Sequence, residues 1–251
     1  MSNLFDIFKN DLNSKIMKIS IVIPVFNEAK TIIQVLDKIH LATNSINHKF
    51  EIIIVNDGST DKTKDNLIRN KHLYDQLINI EKNMGKGNAL NLGFSKCSGE
   101  VIIIQDADLE YSPEDYPKLL SPFEKFDADI VYGSRFRTSD ISAVLLFWHT
   151  IANKIITLTS NIFSDLNLSD VETGYKVFKK KLINDIKLNE KRFGIEIELT
   201  HKFSNLIPKP KIYEVGISYN GRTYMEGKKI GVKDAFRAIY CILKYAFIEK
   251  K

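Results

Sequence analysis

Along this chain, short apolar runs closed by polar turns alternate with segments whose apolar residues recur every three or four positions. Lys18 to Val25 is β-branched and apolar, with Pro24 and Asn27-Glu28 closing it, and Thr31 to His40 then places Ile32, Val35, Leu36 and Ile39 on one helical face. A second strand, Phe50 to Val55, stops at Asn56-Asp57-Gly58-Ser59-Thr60-Asp61, and the segment to Arg69 is helical, with Asp61 or Ser59 suited to cap it. Leu77 to Ile80 predicts a third strand, Gly87 to Cys97 a helix and Glu100 to Gln105 a fourth strand. Ser112-Pro113-Glu114 opens a helix to about Lys125, and Ile130 to Arg135 is a fifth strand. Residues 143–164 are helical and markedly apolar, and they either pack on the sheet or form an apolar lip near an acceptor. Val171 to Phe178 predicts a strand, Lys181 to Ile186 a short helix, Ile195 to Phe203 a helix and Lys211 to Ser218 a strand. Strands alternating with helices predict an α/β fold, a mostly parallel central sheet flanked by helices, with ligands beyond the carboxyl ends of its strands.

The two ends differ from this body. Residues 1–17 form an amphipathic lead-in with Leu4, Ile7, Phe8 and Leu12 at helical spacing. Residues 18–231 read as one domain, since no Gly/Ser/Pro-rich linker divides 18–220. Residues 232–251 read as a basic amphipathic helix: Val232, Phe236, Ile239, Tyr240, Leu243 and Phe247 recur beside Lys233, Arg237 and Lys244. Such a tail either packs on its own domain or lies in the interface of an anionic leaflet.

Composition narrows the class. The 251 residues are 44% hydrophobic and 27% charged, an ordinary globular balance. Cys97 and Cys241 lie in unrelated contexts, so neither a disulfide framework nor a cysteine metal site is indicated, and the five histidines show no ligand spacing. The start has no secretory pattern and no apolar run approaches the roughly 20 residues of a spanning helix, which predicts a cytoplasmic setting with at most peripheral membrane contact. Net charge is +5, concentrated in the last 45 residues, a density suited to phosphates or an anionic membrane. No zinc-finger, RNP-like or helix-turn-helix signature accompanies it, so nucleic acid is not an expected partner.

The densest chemistry follows the fourth strand, in Val101-Ile102-Ile103-Ile104-Gln105-Asp106-Ala107-Asp108. A buried strand that delivers two carboxylates to a sheet edge sets like charges together, and a divalent ion with hard oxygen ligands relieves the repulsion. Mg²⁺ or Mn²⁺ held by one or two carboxylates completes its shell with water and substrate phosphates, which points to a nucleotide-linked substrate. A calcium loop wants an oxygen ligand and then a glycine at the positions of Glu110 and Tyr111, and the tyrosine excludes it. Dinucleotide and P-loop fingerprints are both missing, so a base and ribose would be held by Pro24-Val25-Phe26-Asn27-Glu28 and Asp57-Gly58-Ser59.

Taken in order, these segments, together with Asn83-Met84-Gly85-Lys86-Gly87-Asn88-Ala89, resemble the inverting glycosyltransferases of family two, which have the GT-A fold. The resemblance is strong over residues 18–135 and implies a nucleotide-sugar donor (a UDP- or GDP-sugar). It sets Pro24, Val25, Asn27, Glu28, Asp57, Gly85, Lys86, Ala89, Asp106 and Ala107 on the donor, with Asp57 near the base. A narrower likeness extends to Asp108-Leu109-Glu110, Gly133-Ser134-Arg135, Asp170 to Lys176 and Arg222 to Lys229, and looks like the polyprenyl-phosphate sugar transferases of the dolichol-phosphate mannose synthase group. It implies a metal set of Asp106, Asp108 and Glu110, phosphate contacts from Arg135 and Arg222, and a basic loop carrying Lys228 and Lys229 that closes over the donor. Lys176 stands where the group often has Arg, and Lys228-Lys229 where Ser-Lys is usual. The implied reaction is metal-dependent inverting transfer of a hexosyl group to a polyprenyl (dolichyl or undecaprenyl) phosphate. The alternative is transfer to a saccharide or protein hydroxyl in cell-surface glycan assembly. Asp108, Asp170, Glu172, Arg135 and Arg222 are the expected catalytic residues. A phosphate acceptor is already an anion, so Asp170 or Glu172 would orient it; with a hydroxyl acceptor one of them becomes the candidate base.

Overall fold

The computed structural model describes residues 15–137, 144, 146–184, 186–222 and 232–248, the first three of the last stretch through their backbone alone. The strands are β1 Lys18–Val25, β2 Lys49–Asp57, β3 Gln76–Ile80, β4 Val101–Ile104, β5 Ile130–Ser134, β6 Lys176–Lys179 and β7 Ile212–Gly216. The helices are α1 Ile32–Thr43, α2 Thr63–Arg69, α3 Lys86–Phe94, α4 Tyr116–Phe126, α5 Phe147–Ser164, α6 Ile195–Ser204 and α7 Val232–Leu243, the last continuing as a π-helical turn to Ile248.

The strands form one sheet in the order β3-β2-β1-β4-β6-β5-β7. Parallel pairs join β1 to β2 and β4, β2 to β3, and β5 to β7, while β6 runs antiparallel between β4 and β5. Side chains alternate across each strand and feed two cores. In β4, Val101 and Ile103 pack in the layer of α1 and α4. Ile102 and Ile104 face the layer of α3, α6 and α7. A strand covered on both faces reads as an unbroken apolar run, which is why β4 is legible in sequence.

The chain builds outward from β1 through β2 to β3 and then crosses to the other side of β1 with β4. That reversal opens a crevice between the carboxyl ends of β1 and β4, the place where open α/β sheets bind ligands. Val22 is registered with Ile104, so the segment leaving β4 emerges level with the end of β1.

Three local expectations need correction. The strand expected from Val171 begins only at Lys176. Residues 171–174 are a turn, because the Lys176 ammonium donates to the carbonyls of Val171 (2.9 Å) and Thr173 (2.6 Å) and folds the backbone onto itself. The expected helix from Lys181 is one 3-10 turn, Lys180–Leu182. Neither candidate cap of α2 holds the N-cap position, which falls to Lys62; Asp61, one place earlier, accepts from Thr63 N at 2.9 Å, and the Ser59 hydroxyl accepts from Asn27 N.

The last helix packs on its own domain: Ala238, Cys241, Ile242 and Tyr245 are buried against α5 and α6, and Phe247 meets Phe163 edge-on at 5.2 Å. Its other side keeps Phe236 and Phe247 largely exposed, and α5 likewise exposes Phe147 and Trp148. Among the described residues no helix is long and apolar enough to cross a membrane. Most of the expected lead-in, and Lys228 and Lys229, lie outside the described residues.

Candidate functional site

Among the described residues, each polar segment singled out in the sequence reaches this one edge. After β1, Asn27 adopts left-handed φ of 53° and uses its side-chain oxygen to accept from Thr60 N at 2.8 Å. It therefore braces the β1 exit against the β2 exit. Pro24 and Val25 complete the end of β1, Val25 buried in the core. Glu28, nearly buried, accepts from both terminal nitrogens of Arg222, at 3.2 and 2.9 Å. Arg222 also donates to the Asp108 carbonyl, so it bridges the exits of β1 and β4.

After β2, Asp57 is buried and its two carboxylate oxygens accept from Met84 N (2.8 Å) and Gly85 N (2.7 Å). Its role within this structure is to anchor the Asn83–Ala89 turn. Gly85 is required there twice over: φ is 97°, and a Cβ would strike the Lys191 carbonyl. The turn starts α3, in which Ala89 is buried, and presents Lys86, whose ammonium lies 2.7 Å from Asp106 and 2.9 Å from Glu196. Burial alone would lower the Lys86 pKa, but the two carboxylates outweigh it and hold the amine firmly charged.

After β4, Asp106, Ala107, Asp108 and Glu110 wrap a tight bend in which Leu109 has φ of 66°. The Ala107 carbonyl accepts from Thr31 Oγ1 at 2.8 Å, which pins the bend to the start of α1. Glu110 accepts from the Tyr219 hydroxyl and from Arg222 N, both at 2.8 Å. Burial, and then the charges of Asp106 and Glu110, push the Asp108 carboxyl up to about 7. Gly174 packs so closely on Asp106 that a Cβ has no room beside its carboxylate.

From β5 and the turn before β6 come the remaining groups. Arg135 grips fully buried Asp170 through two 2.7 Å bonds and lies over the Tyr219 ring at 5.2 Å. Glu172 is raised to about 7 by burial and then by Glu196, and its Oε1 is buried without a hydrogen-bond partner. Lys176, which stands where the resembled group often has an arginine, is wholly buried and lowered to about 8, mainly by burial. The structure thus brings together every expected site residue it describes. It adds Glu196, Tyr219, Thr31 and Gly174, which the sequence reading missed. Glu196 had a signal: it sits in Ile195-Glu196-Ile197-Glu198-Leu199, an apolar helical window in which an acid must be buried and therefore partnered.

Among the described residues charge is unbalanced here. Glu28, Asp106, Asp108, Glu110, Asp170, Glu172 and Glu196 face Lys86, Arg135, Lys176 and Arg222, and neighbouring carboxylates add to burial in raising Asp108 and Glu172. A hard divalent cation fits that deficit. Among the described residues no three carboxylate, histidine or cysteine side chains group closely enough to hold an ion by themselves. Mg²⁺ or Mn²⁺ at phosphate sites takes one or two carboxylates and leaves the rest of its shell to water and phosphate, so Asp106 and Asp108 suffice in number. A concavity of about 970 Å³ opens at the opposite edge of the sheet, where Lys15 is paired with Glu100 and Lys179 with Asp127 and Asp129.

The sequence profile of glycosyl transferase family 2 matches residues 20–187. The chain belongs to that family. It is a glycosyltransferase with the GT-A fold. Among relatives, it is 25% identical over 92% of its length to a dodecaprenyl-phosphate galacturonate synthase of Rhizobium johnstonii. It is 29% identical over 91% of its length to a dolichol-phosphate mannosyltransferase of Pyrococcus furiosus. Both are longer proteins, of which the chain spans 67% and 64%. Glucosyl-3-phosphoglycerate synthase from Mycobacterium tuberculosis, solved with Mn²⁺, uridine diphosphate and phosphoglyceric acid, shares the fold. The TM-score is 0.71 at 20% identity, covering 96% of this chain and 81% of that one.

Proposed function

We propose that this glycosyltransferase moves a hexosyl group, with inversion, from a UDP- or GDP-sugar to a polyprenyl phosphate, with Mg²⁺ or Mn²⁺ bound at Asp106 and Asp108. The observation that carries the reading is the crowded carboxylate pair at the β1/β4 crevice, flanked by the half-buried cations Lys86 and Arg222. When bound, the ion would supply charge neutralisation to the diphosphate. Asn27, Glu28 and Asp57 shape the donor slot, and Lys86 reaches it from the start of α3, with Gly85 and buried Ala89 holding the turn behind it. Arg222 and Arg135 stand where charge builds on the leaving phosphate, and cations fixed there favour the transition state over the ground state. Lys228 and Lys229 belong to the basic loop that would close over the donor. Asp170, gripped by Arg135, orients that guanidinium and needs no proton transfer when the acceptor is a phosphate anion. The exposed aromatic residues of α5 and α7 suit peripheral contact with the membrane that carries such a lipid.

One observation favours the second reading, transfer to a saccharide or protein hydroxyl: Glu172, at about 7 with a buried orphan oxygen, has the proton affinity of a general base. Purified protein incubated with radiolabelled UDP- and GDP-sugars, Mn²⁺, and either polyprenyl phosphate or soluble glycans separates the two. Organic-extractable product supports the first reading, and label appearing only in soluble glycan overturns it in favour of the second.

A further inference from the structure

Glu190 lies in the loop before α6, nearly buried, and its carboxylate is held from α7: Arg237 donates at 2.6 Å, Lys244 at 3.2 Å and the Tyr245 hydroxyl at 3.1 Å. The loop backbone is fixed from the other side by fully buried Glu198, which accepts from Asn189 N at 2.8 Å and Glu190 N at 2.7 Å. This loop meets the Lys86 turn backbone to backbone. Asn88 N donates to the Lys191 carbonyl at 3.2 Å, a Cβ on Gly85 would collide with that same carbonyl, and one on Gly87 would collide with the Glu190 carbonyl. Two glycines without room for a methyl group mean that the turn sits directly on the loop. Between those glycines is Lys86, the partner of Asp106.

We propose that Glu190 is a positioning residue for the Lys86–Asp106 pair, and that α7 fixes the site through it: α7 cations hold Glu190, Glu190 holds its loop, and the loop holds the turn that aims Lys86. That the turn serves catalysis rests on the function proposed above; the mechanical linkage does not. The helix that exposes Phe236 and Phe247 on one side is thereby wired, through Arg237 and Lys244 on the other, to the donor-side turn.

The test is hydrogen exchange on the protein without donor, comparing wild type with Glu190→Gln and with the double variant Arg237→Ala/Lys244→Ala. The linkage predicts that exchange of the 83–89 amides speeds up about tenfold in both, although neither changes a residue of that turn. Acceleration confined to residues 186–194 and α7, with 83–89 unchanged, overturns it. Should Glu190→Gln fail to fold, the α7 double variant alone decides. A second arm titrates UDP and GDP with Mn²⁺ at a temperature where every variant is fully folded: affinity about fivefold weaker is the expected positioning effect, and wild-type affinity in folded variants contradicts it. If neither nucleotide binds wild type, the donor reading fails while the exchange result still judges the linkage.

Discussion

Lys86 offers the sharpest test of the site's electrostatics. Its ammonium lies between Asp106 and Glu196, whose side chains are 18% and 9% exposed, and is itself 14% exposed. Removing one member of a buried ion pair costs about 3–5 kcal/mol, because the partner is left desolvated and uncompensated. Lys86→Met strands two carboxylates but at positions with some access to water, so the lower end, about 3 kcal/mol, is expected. Glu196→Gln alone leaves Lys86 on Asp106 and keeps an acceptor, and should cost about 1 kcal/mol. In the double variant the two stranded carboxylates no longer repel each other, so its cost should fall short of the sum by at least about 1 kcal/mol. Urea unfolding followed by circular dichroism at pH 7.5 and low salt measures all three. A Lys86→Met cost below about 1 kcal/mol, or additivity within about 0.3 kcal/mol, would refute the reasoning.

Three further outcomes follow from the same physics. Asp108→Asn should lose ion-dependent stabilisation by UDP or GDP and most turnover. Yet at pH 8 it should be more stable than wild type by about 1–2 kcal/mol, because a carboxyl raised to about 7 destabilises the fold once ionised; thermal shift with and without Mn²⁺ reads both, and retained turnover sinks the assignment. His201, buried with Nε2 3.1 Å from Ser160 Oγ, is held down to about 4 by burial. It stays neutral in the fold, so stability is full above its unfolded pKa of about 6.5 and declines by up to about 3 kcal/mol as pH falls toward 4. Urea midpoints over that window should fall less steeply in His201→Gln; identical slopes would exclude the histidine. Gly85→Ala forces a side chain into left-handed backbone and against the Lys191 carbonyl, and should cost at least about 2 kcal/mol in denaturant unfolding. A loss under about 0.5 kcal/mol would show that the turn does not rest on that loop.

What sequence reveals here is local. β1, β2 and β4 end in polar residues immediately after apolar runs, so their exits, and the sheet edge they share, can be read from pattern alone. Arg135, at the end of β5, is legible for the same reason. The antiparallel direction of β6 is not, because four residues, Lys176–Lys179, carry no sign of which way they run. Lys176 misleads for a related reason: beside acids and a glycine it resembles a ligand-binding cation, yet its ammonium is consumed by carbonyls three and five residues away in its own turn. Asp57 is the opposite case, found from its motif, but tied to backbone amides of a turn that only the fold brings to it. Partnerships made across the sheet edge are set by topology, and pattern does not encode them.

The pairing of the site bears on how a donor would enter. Glu28 is answered by Arg222, Asp106 by Lys86 and Asp170 by Arg135, so the strongest cations and carboxylates are already spent on one another. An anionic diphosphate arriving alone would have to draw Arg222 and Lys86 from their carboxylates and leave these exposed to mutual repulsion, as the raised Asp108 already shows. A divalent cation arriving alone would have to displace Lys86 from Asp106. Arriving together, each answers the charge the other uncovers. On the proposed reading, the internal ion pairs therefore make cation and nucleotide binding mutually dependent, and by linkage the factor by which one strengthens the other is the same in both directions. A site with its charges left unpaired would bind either component more readily and discriminate the pair less.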